Sequence, residues 1–193
     1  MGQTGCGEHL TTIVWPVMSG DITIRELDAD DALAYLDDLV EMLRDSVDNG
    51  ASVNFLADVS TDELTDFWLQ SINEQRLGNR LLFTAMTDEH VVGTTMLIFA
   101  TQPNQPHRAE IGKMLVHSAH RRKGIAGRLL ATAEAAARVR GRTLLMLDTV
   151  KDSSGERLYI AAGWTLFGVV PDHALLPDGT PEATSFFYKV LID

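Results

Sequence analysis

The chain has 193 residues, of which 45% are hydrophobic and 22% are charged, and its net charge is −11 at pH 7. This length and composition suit one globular domain with an ordinary core, and no apolar run approaches the roughly 18 residues of a membrane span. An acidic surface also disfavours nucleic acid, because a duplex requires a broad basic face. We therefore expect neither a nucleic-acid nor a membrane partner.

The first residues indicate domain organisation and compartment. Residues 1–20 contain four glycines and Pro16, which predicts a tail or arm in front of a single domain covering residues 21–193. The first basic residue is Arg25, so the positive region of a signal peptide is not expected, and Cys6 has no second cysteine to pair with. Both observations favour a reducing compartment, and we predict a cytoplasmic protein.

Two helices are predicted early in the chain. Asp28, with Asp31 three residues later, predicts the start of a helix that ends at Asn49-Gly50. Ser60-Thr-Asp-Glu63 matches a capping box and predicts the start of a second helix. The apolar residues of the two helices repeat at helical spacing: Leu36, Leu39, Val40, Leu43 and Val47 in the first, and Leu64, Phe67, Trp68 and Ile72 in the second.

Strands and helices then alternate. Two strand-like runs, 80–86 and 91–100, are joined by a predicted hairpin at 87–90, and a third run covers about 107–116. A helix follows, in which Ile125, Leu129, Ala133 and Ala137 are spaced by four, and it ends at Gly141. The remaining predictions are a buried strand at 143–147, a short helix at about 153–162, and strands at 164–169 and 184–191. This order predicts an α/β fold with a mixed, partly parallel sheet.

The turn after the third strand has the properties of a phosphate site. From Arg108 to Arg142 the chain has nine basic and two acidic residues, although the whole protein is acidic. An apolar strand that leads through a basic, glycine-containing turn into a helix gathers backbone N–H groups, a helix N-terminus and cations at one point. This predicts a compact polyanion as ligand. The four later arginines are interpreted as a solvated helix face and its end: Arg128, Arg138, Arg140 and Arg142.

Two motifs resemble those of a known family. Arg121-Arg-Lys-Gly124-Ile-Ala126 is similar to the Gln/Arg-x-x-Gly-x-Gly/Ala signature of the GNAT N-acetyltransferases, and Leu158-Tyr159-Ile-Ala-Ala-Gly163-Trp164 resembles their later Leu-Tyr-x-x-x-Gly-Phe element. The resemblance to this family covers residues 20–191. Within the family, the chain resembles the tabtoxin-resistance acetyltransferases in the most detail. That finer resemblance is carried by Gly50-Ala-Ser-Val53, Arg108-Ala-Glu110, the strand at Lys113-Met114, Leu147-Asp-Thr149 and Pro177-Asp-Gly179. Ser118, Asp152 and Gly155 depart from the common pattern.

The resemblance implies a GNAT fold, in which a central mixed twisted sheet with splayed parallel strands is flanked by helices. It implies acetyl-CoA as acyl-donor cosubstrate, lying where the strands 111–116 and 143–148 separate at a β-bulge. Met114, Leu115 and Val116 would pair with the pantetheine arm through their backbone, and the Leu115 N–H would stabilise the oxyanion. The expected pyrophosphate site consists of Arg121, Arg122, Lys123, Gly124, Ile125, Ala126 and Gly127.

The same resemblance implies three catalytic residues. Tyr159 would protonate the leaving thiolate as general acid, while Glu110 and Asp148 would face the acceptor and hold its ammonium or remove its proton. Which of the two carboxylates acts as base is left open. Residues 50–56 are a candidate lining of the acceptor pocket.

Several alternatives stay open or are set aside. His117 and His120 have the spacing of a metal pair, but no further ligand lies at a suitable spacing, so no metal is expected. Ser153-Ser154 lacks a nucleophile elbow, which argues against a serine hydrolase. The predicted acceptor is a primary amine of a small molecule. A protein N-terminus as acceptor, a non-catalytic acyl-CoA sensor and a homodimer remain alternatives.

Overall fold

The computed structural model describes residues 21–87 and 90–191. The predicted arm at 1–20 and the tip of the predicted 87–90 hairpin lie outside these ranges. The described helices are α1 (Ala29–Ala34), α2 (Leu36–Asp48), α3 (Thr61–Arg76), α4 (Ile125–Val139) and α5 (Ser154–Ala161), with a 3₁₀ turn at Ser118–His120. The described strands are β1 (Thr23–Leu27), β2 (Arg80–Met86), β3 (Val91–Phe99), β4 (Arg108–Val116), β5 (Leu144–Val150), β6 (Thr165–Leu175) and β7 (Pro181–Val190).

The strands form one mixed sheet, which confirms the predicted fold class. Their order across the sheet is β1-β2-β3-β4-β5-β7-β6. The pair β4–β5 is parallel and the other neighbouring pairs are antiparallel. Every helix within the described ranges is too short or too polar to span a membrane.

The early helices differ from the prediction in one respect. Asp28 caps α1 as expected, since its carboxylate accepts hydrogen bonds from the N–H groups of Asp30 and Asp31. The single predicted helix is nevertheless two, because Tyr35 leaves helical geometry with φ −105° and ψ 21° between α1 and α2. The predicted capping box of α3 is present, with Ser60 and Glu63 bonded reciprocally.

Two cores lie on opposite faces of the sheet. One face packs against α4, whose residues Ile125, Leu129, Ala133 and Ala137 are all buried, as their spacing predicts. The other face packs against α1, α2 and α3 around Trp68. Strand β1 was not predicted: it is short, mostly exposed and held at the sheet edge by pairing with β2.

A bulge and a separation of strands interrupt the middle of the sheet. Thr94 pairs with Leu115 and Met96 with Gly112, so β4 has one extra residue opposite β3, and Lys113 takes a positive φ of 47° there. β4 pairs with β5 only from Arg108 to Glu110, opposite Leu144 to Met146. Beyond these pairs the two parallel strands continue apart, and a gap opens between them toward their carboxyl ends.

Candidate active site

The basic turn lies at the carboxyl end of β4, beside this gap. Arg122 and Gly124 both have positive φ, 65° and 74°, and Gly124 is the N-cap of α4. This backbone turns the chain sharply into α4. As in any α-helix, the first N–H groups of α4 have no hydrogen-bond partners inside the helix. Arg121, Arg122, Lys123 and Gly124 are exposed at the same place. The geometry is that of an anion site at a helix N-terminus.

The backbone of β4 presents hydrogen-bonding groups to the gap. His117 N–H donates to the Val92 carbonyl on β3, so strand alternation directs the N–H and C=O of Val116 toward the gap. The Val116 carbonyl accepts a hydrogen bond from Arg121 Nε at 3.2 Å. A side chain of the basic turn therefore lies over a backbone acceptor that the pantetheine arm is expected to use.

The backbone of the turn and of the start of α4 is open at two glycines. A Cβ added at Gly124 would meet no protein atom within 4 Å, and one at Gly127 would meet only Leu158 Cδ1 at 4.0 Å. The protein itself thus leaves space above the start of α4. Exposed cations, the strand backbone that faces the gap and this space fit the pyrophosphate and pantetheine parts of acetyl-CoA.

Tyr159 lies on α5 and belongs to the hydrophobic core between the sheet and α4. Only 5% of it is exposed, and its ring packs against Trp164 and Phe187 at centroid distances of 6.0 and 6.1 Å. Burial raises the pKa of Tyr159 well above its ordinary value, and the negative charge of Asp148 raises it further. The phenol therefore keeps its proton at neutral pH, as a general acid requires.

The two predicted carboxylates share the opposite face of the sheet. Leu145 and Leu147 of β5 face the α4 core, so alternation directs Asp148 to the other side. Glu110 is on that same side of β4, since its neighbours Ala109 and Ile111 belong to the α4 core. The structure thus places Glu110 and Asp148 on one face beside the gap.

Glu110 and Asp148 have different surroundings. The Glu110 side chain is 52% exposed, and its Oε1 lies 3.4 Å from a guanidinium nitrogen of Arg108. Asp148 is near enough to Tyr159 and Lys113 for its charge to influence the pKa of both. Of the two carboxylates, Asp148 is therefore the one whose negative charge acts on Tyr159 and Lys113.

Lys113 lies at this site, although sequence reasoning assigned it no role beyond the family resemblance. Its ammonium donates to the Val53 carbonyl at 3.0 Å and lies 4.8 Å from the centroid of the Phe67 ring. Burial lowers the pKa of Lys113 to about 8, although the negative charge of Asp148 opposes this effect. A lysine inside an otherwise apolar strand was the signal available in the sequence.

The segment after α2 is bonded to the end of β6 and to the turn that follows it. Ser52 Oγ donates to the Leu175 carbonyl at 3.0 Å, and Ala57 N–H donates to the Pro177 carbonyl at 2.9 Å. These bonds fasten residues 52–57 to the connection between β6 and β7. Phe55 of this segment contacts Phe67 edge to face at 5.7 Å. The segment is therefore in position to line an acceptor pocket next to Lys113.

Two departures from the family pattern have structural explanations. Asp152 has a positive φ of 58°, a conformation that Asp and Asn adopt more readily than most residues, and its carboxylate is bonded to Lys151 at 2.5 Å. Gly155 lies where α5 approaches β5, and a Cβ there would be 2.8 Å from Thr149 Oγ1.

Other charged residues have structural partners. Arg140 bonds to Glu26 at 3.0 Å, and the Arg142 guanidinium lies 4.6 Å from the Phe99 ring centroid, so these two arginines have partners in the fold where the sequence predicted only a solvated helix face and its end. His117 and His120 have ring centroids 6.1 Å apart. Among residues 21–87 and 90–191, no three His, Cys, Asp or Glu side chains are grouped so that they could hold a metal ion. The prediction of a metal-free site stays a prediction.

Comparison with known families identifies the class of protein. Residues 40–163 match the model of the acetyltransferase (GNAT) family, which is more than half of the chain. The chain belongs to the GNAT acetyltransferase family. The splayed strands β4 and β5 and the basic turn described above lie within the matched residues.

Solved structures show the same fold. An N-acetyltransferase from Staphylococcus aureus Mu50 is 19% identical, covers 90% of this chain and 100% of its own, and has a TM-score of 0.74. The YncA protein of Salmonella typhimurium, solved with its cofactor acetyl-CoA, is 21% identical over 89% of this chain and 95% of its own, with a TM-score of 0.71. A GNAT superfamily phosphinothricin acetyltransferase from Sinorhizobium meliloti, in complex with AcCoA, is 21% identical over 88% of each chain, with a TM-score of 0.73.

Proposed function

We propose that this protein transfers an acetyl group from acetyl-CoA to the primary amine of a small molecule, by direct attack in a ternary complex. One observation carries the proposal: the basic turn lies at the end of the gap between β4 and β5, and the candidate catalytic residues lie near the same gap. These residues are Glu110, Asp148 and Tyr159. Family membership supports acetyl transfer. Two similar structures are described with acetyl-CoA, which supports the choice of donor.

The chain's own residues would supply binding and proton transfer. Acetyl-CoA, when bound, supplies an activated thioester. Met114 and Val116 would hold the pantetheine arm, and the segment from Arg121 to Gly127 would hold the pyrophosphate. Leu115 pairs with Thr94 and alternates with Val116, so its N–H and C=O face β3, and the predicted backbone contacts of Leu115 with pantetheine and the oxyanion do not fit this strand. A gap-facing N–H, that of Met114 next to the bulge, would instead stabilise the carbonyl oxygen as it becomes negative.

Proton transfer completes the reaction. The acceptor ammonium loses its proton to Asp148 or Glu110, directly or through water, and the free amine nitrogen forms a bond to the carbonyl carbon. The C–S bond breaks, and Tyr159 gives its proton to the departing sulfur. The nitrogen loses its second proton, which returns to the Tyr159 oxygen directly or through water, and the carboxylate releases the first proton to solvent. The products are the acetylated amine, CoA thiol and one proton.

Finer features of the prediction belong to the same proposal. We propose that residues 21–193 form one domain and that the protein acts in the cytoplasm. A homodimer remains an alternative to a monomer. A relation to the tabtoxin-resistance group is supported by the motifs quoted above and by phosphinothricin acetyltransferases among the similar structures. The acceptor itself is a matter for experiment, because one fold can serve many substrates.

A panel of acceptors tests the proposal. Release of CoA thiol from acetyl-CoA is measured with amino acids, simple monoamines, diamines and a peptide with a free N-terminus. We expect thiol release with at least one small amine and a product heavier by one acetyl group. Activity with the peptide alone would contradict the small-molecule acceptor. Binding of acetyl-CoA without turnover on any amine would instead favour the sensor.

A further inference from the structure

Helix α2 carries two buried carboxylates, Asp38 and Asp45, seven residues and therefore two turns apart. Each is 8% exposed, and each accepts a hydrogen bond from a backbone N–H of a distant segment at 2.8 Å. Asp38 bonds to Val91, at the start of β3, whereas Asp45 bonds to Ser118, in the turn between β4 and α4. The same type of contact thus fixes two different parts of the chain.

Asp45 makes more contacts with the cofactor turn than this one bond. Its Oδ1 also accepts a hydrogen bond from the Ser118 hydroxyl at 2.5 Å. The guanidinium of Arg121 lies 3.8 Å from Oδ2, and His117 Nε2 lies 3.8 Å from Oδ1. A single carboxylate from α2 therefore contacts three residues of the segment 117–121, which leads directly into the predicted pyrophosphate site.

The placement has an electrostatic cost that its partners offset. A carboxylate next to a phosphate site opposes anion binding, and burying it is unfavourable unless it is paired and hydrogen bonded. Asp45 lies near Arg121, accepts two hydrogen bonds from Ser118 and accepts a third from Asn49 Nδ2 at 3.2 Å, so most of its partners belong to the segment 117–121. Arg121 is held at two points by this arrangement, at Asp45 and at the Val116 carbonyl.

We propose that Asp45 is a positioning residue for acetyl-CoA binding: it holds the segment 117–121 so that Arg121 and the N-terminus of α4 are set for the pyrophosphate. This inference rests on the proposed function. It also gives a reason for Ser118, which stands where many members of the family have proline. Proline has neither an N–H nor a hydroxyl, so it could make neither bond to Asp45.

Asp45→Asn tests the proposal, and Asp38→Asn is the matched control on the same helix. Asparagine keeps the size of the side chain and removes its charge. For Asp45→Asn we expect the Kd of acetyl-CoA, measured by calorimetry, to rise about tenfold, the size of one charge-assisted hydrogen bond. The kcat at saturating acetyl-CoA, with the best amine of the panel, should stay near the wild-type value. Asp38→Asn should destabilise the protein about as much as Asp45→Asn, because each removes one buried charge, but it should leave the Kd of acetyl-CoA unchanged.

Other results would overturn the inference. An unchanged Kd in Asp45→Asn, an equal rise in both variants, or a fall in kcat without a change in Kd would each contradict a positioning role. If Asp45→Asn does not fold, Ser118→Ala removes the hydroxyl bond alone and should raise the Kd about threefold, and an unchanged Kd there would count against the inference. A wild-type protein that does not bind acetyl-CoA would contradict the proposed function, and this inference with it.

Discussion

The Lys113 ammonium lies 4.8 Å from the centroid of the Phe67 ring, and its charge is held between a strand bulge and helix α3. The Val53 carbonyl is its hydrogen-bond partner at 3.0 Å. A cation over an aromatic face is attracted by the ring's negative surface, which offsets part of the cost of burying it. Lys113 therefore joins the bulge, α3 and the segment after α2 at the acceptor side of the gap.

Lys113→Met should change the pH dependence of stability. The pKa of Lys113 is about 8 in the folded protein, and its ordinary value of 10.5 applies to the unfolded chain. Between pH 8 and pH 10.5 Lys113 is therefore protonated in the unfolded chain and largely neutral in the folded protein. Stability then rises with pH, because the penalty on the buried charge is complete below pH 8 and is relieved as the pH increases. Near pH 9 the wild type should gain about 1 kcal/mol per pH unit relative to Lys113→Met.

Urea unfolding at several values between pH 7.5 and pH 10 measures this difference. Lys123→Met, at an exposed position, controls for the loss of any lysine charge. Parallel curves for wild type and Lys113→Met would show that the folded protein does not penalise the charge of Lys113.

Gly124→Ala should weaken acetyl-CoA binding, and Gly141→Ala provides the control. The two glycines lie at opposite ends of α4 with φ values of 74° and 68°, and a Cβ at either position meets no protein atom within 4 Å. Strain from the positive φ should therefore destabilise both variants similarly, by about 1 kcal/mol. Only at Gly124 would the methyl group also hinder approach of a phosphate to the backbone.

Thermal shift measurements with and without acetyl-CoA distinguish the two effects. Wild type at about 100 times its Kd should gain roughly 2.7 kcal/mol, and Gly141→Ala should gain the same amount. A full ligand response in Gly124→Ala would place the pyrophosphate site elsewhere.

Tyr159→Phe should reduce kcat by about 10² to 10⁴ with little change in the Kd of acetyl-CoA, the usual effect of losing a general acid. The ring contacts with Trp164 and Phe187 do not involve the hydroxyl, so the fold should be retained. Tyr35→Phe, at the junction of α1 and α2, removes a hydroxyl from a tyrosine outside α5 and should keep the wild-type kcat. Equal turnover in both variants would give the Tyr159 hydroxyl a structural role.

Asp148→Asn should impair acceptor use more strongly than Glu110→Gln. The charge of Asp148 acts on both Tyr159 and Lys113, whereas Glu110 is half exposed and paired with Arg108. Both substitutions keep size and hydrogen-bonding capacity, so kcat/KM for the best amine should fall while acetyl-CoA affinity stays near wild type. Wild-type kcat/KM in both variants would exclude the two carboxylates from the acceptor site.

Asp148→Asn should also alter proton binding at its neighbours. The Asp148 charge raises the pKa of Tyr159 and of Lys113, so removing it should lower both. Titration of Lys113 followed by NMR in a lysine-labelled protein would detect the change at this position. An unchanged Lys113 titration would show that Asp148 and Lys113 are not electrostatically coupled.

Features set by neighbouring residues in the chain were predictable from the sequence. The capping box from Ser60 to Glu63, the N-cap of α1 at Asp28 and the buried stripe from Ile125 to Ala137 all depend on contacts within one or two helical turns. The basic turn also depended on local order, because a strand, a glycine and a helix start follow one another directly. These elements have the predicted type and nearly the predicted bounds.

Features set by distant partners were decided by the tertiary structure. Strand β1 has no clear alternation of its own and exists through pairing with β2, about 60 residues later in the chain. The bulge at Lys113 and the short pairing of β4 with β5 depend on how three strands fit together, so no local pattern reveals them. The bond from Asp45 to Ser118 joins residues 73 positions apart. Sequence by itself determined most helices, most strands and the position of the basic turn. Long-range packing alone placed Lys113 beside the gap and Asp45 against the segment 117–121, because contacts across the fold leave no periodic trace in the chain.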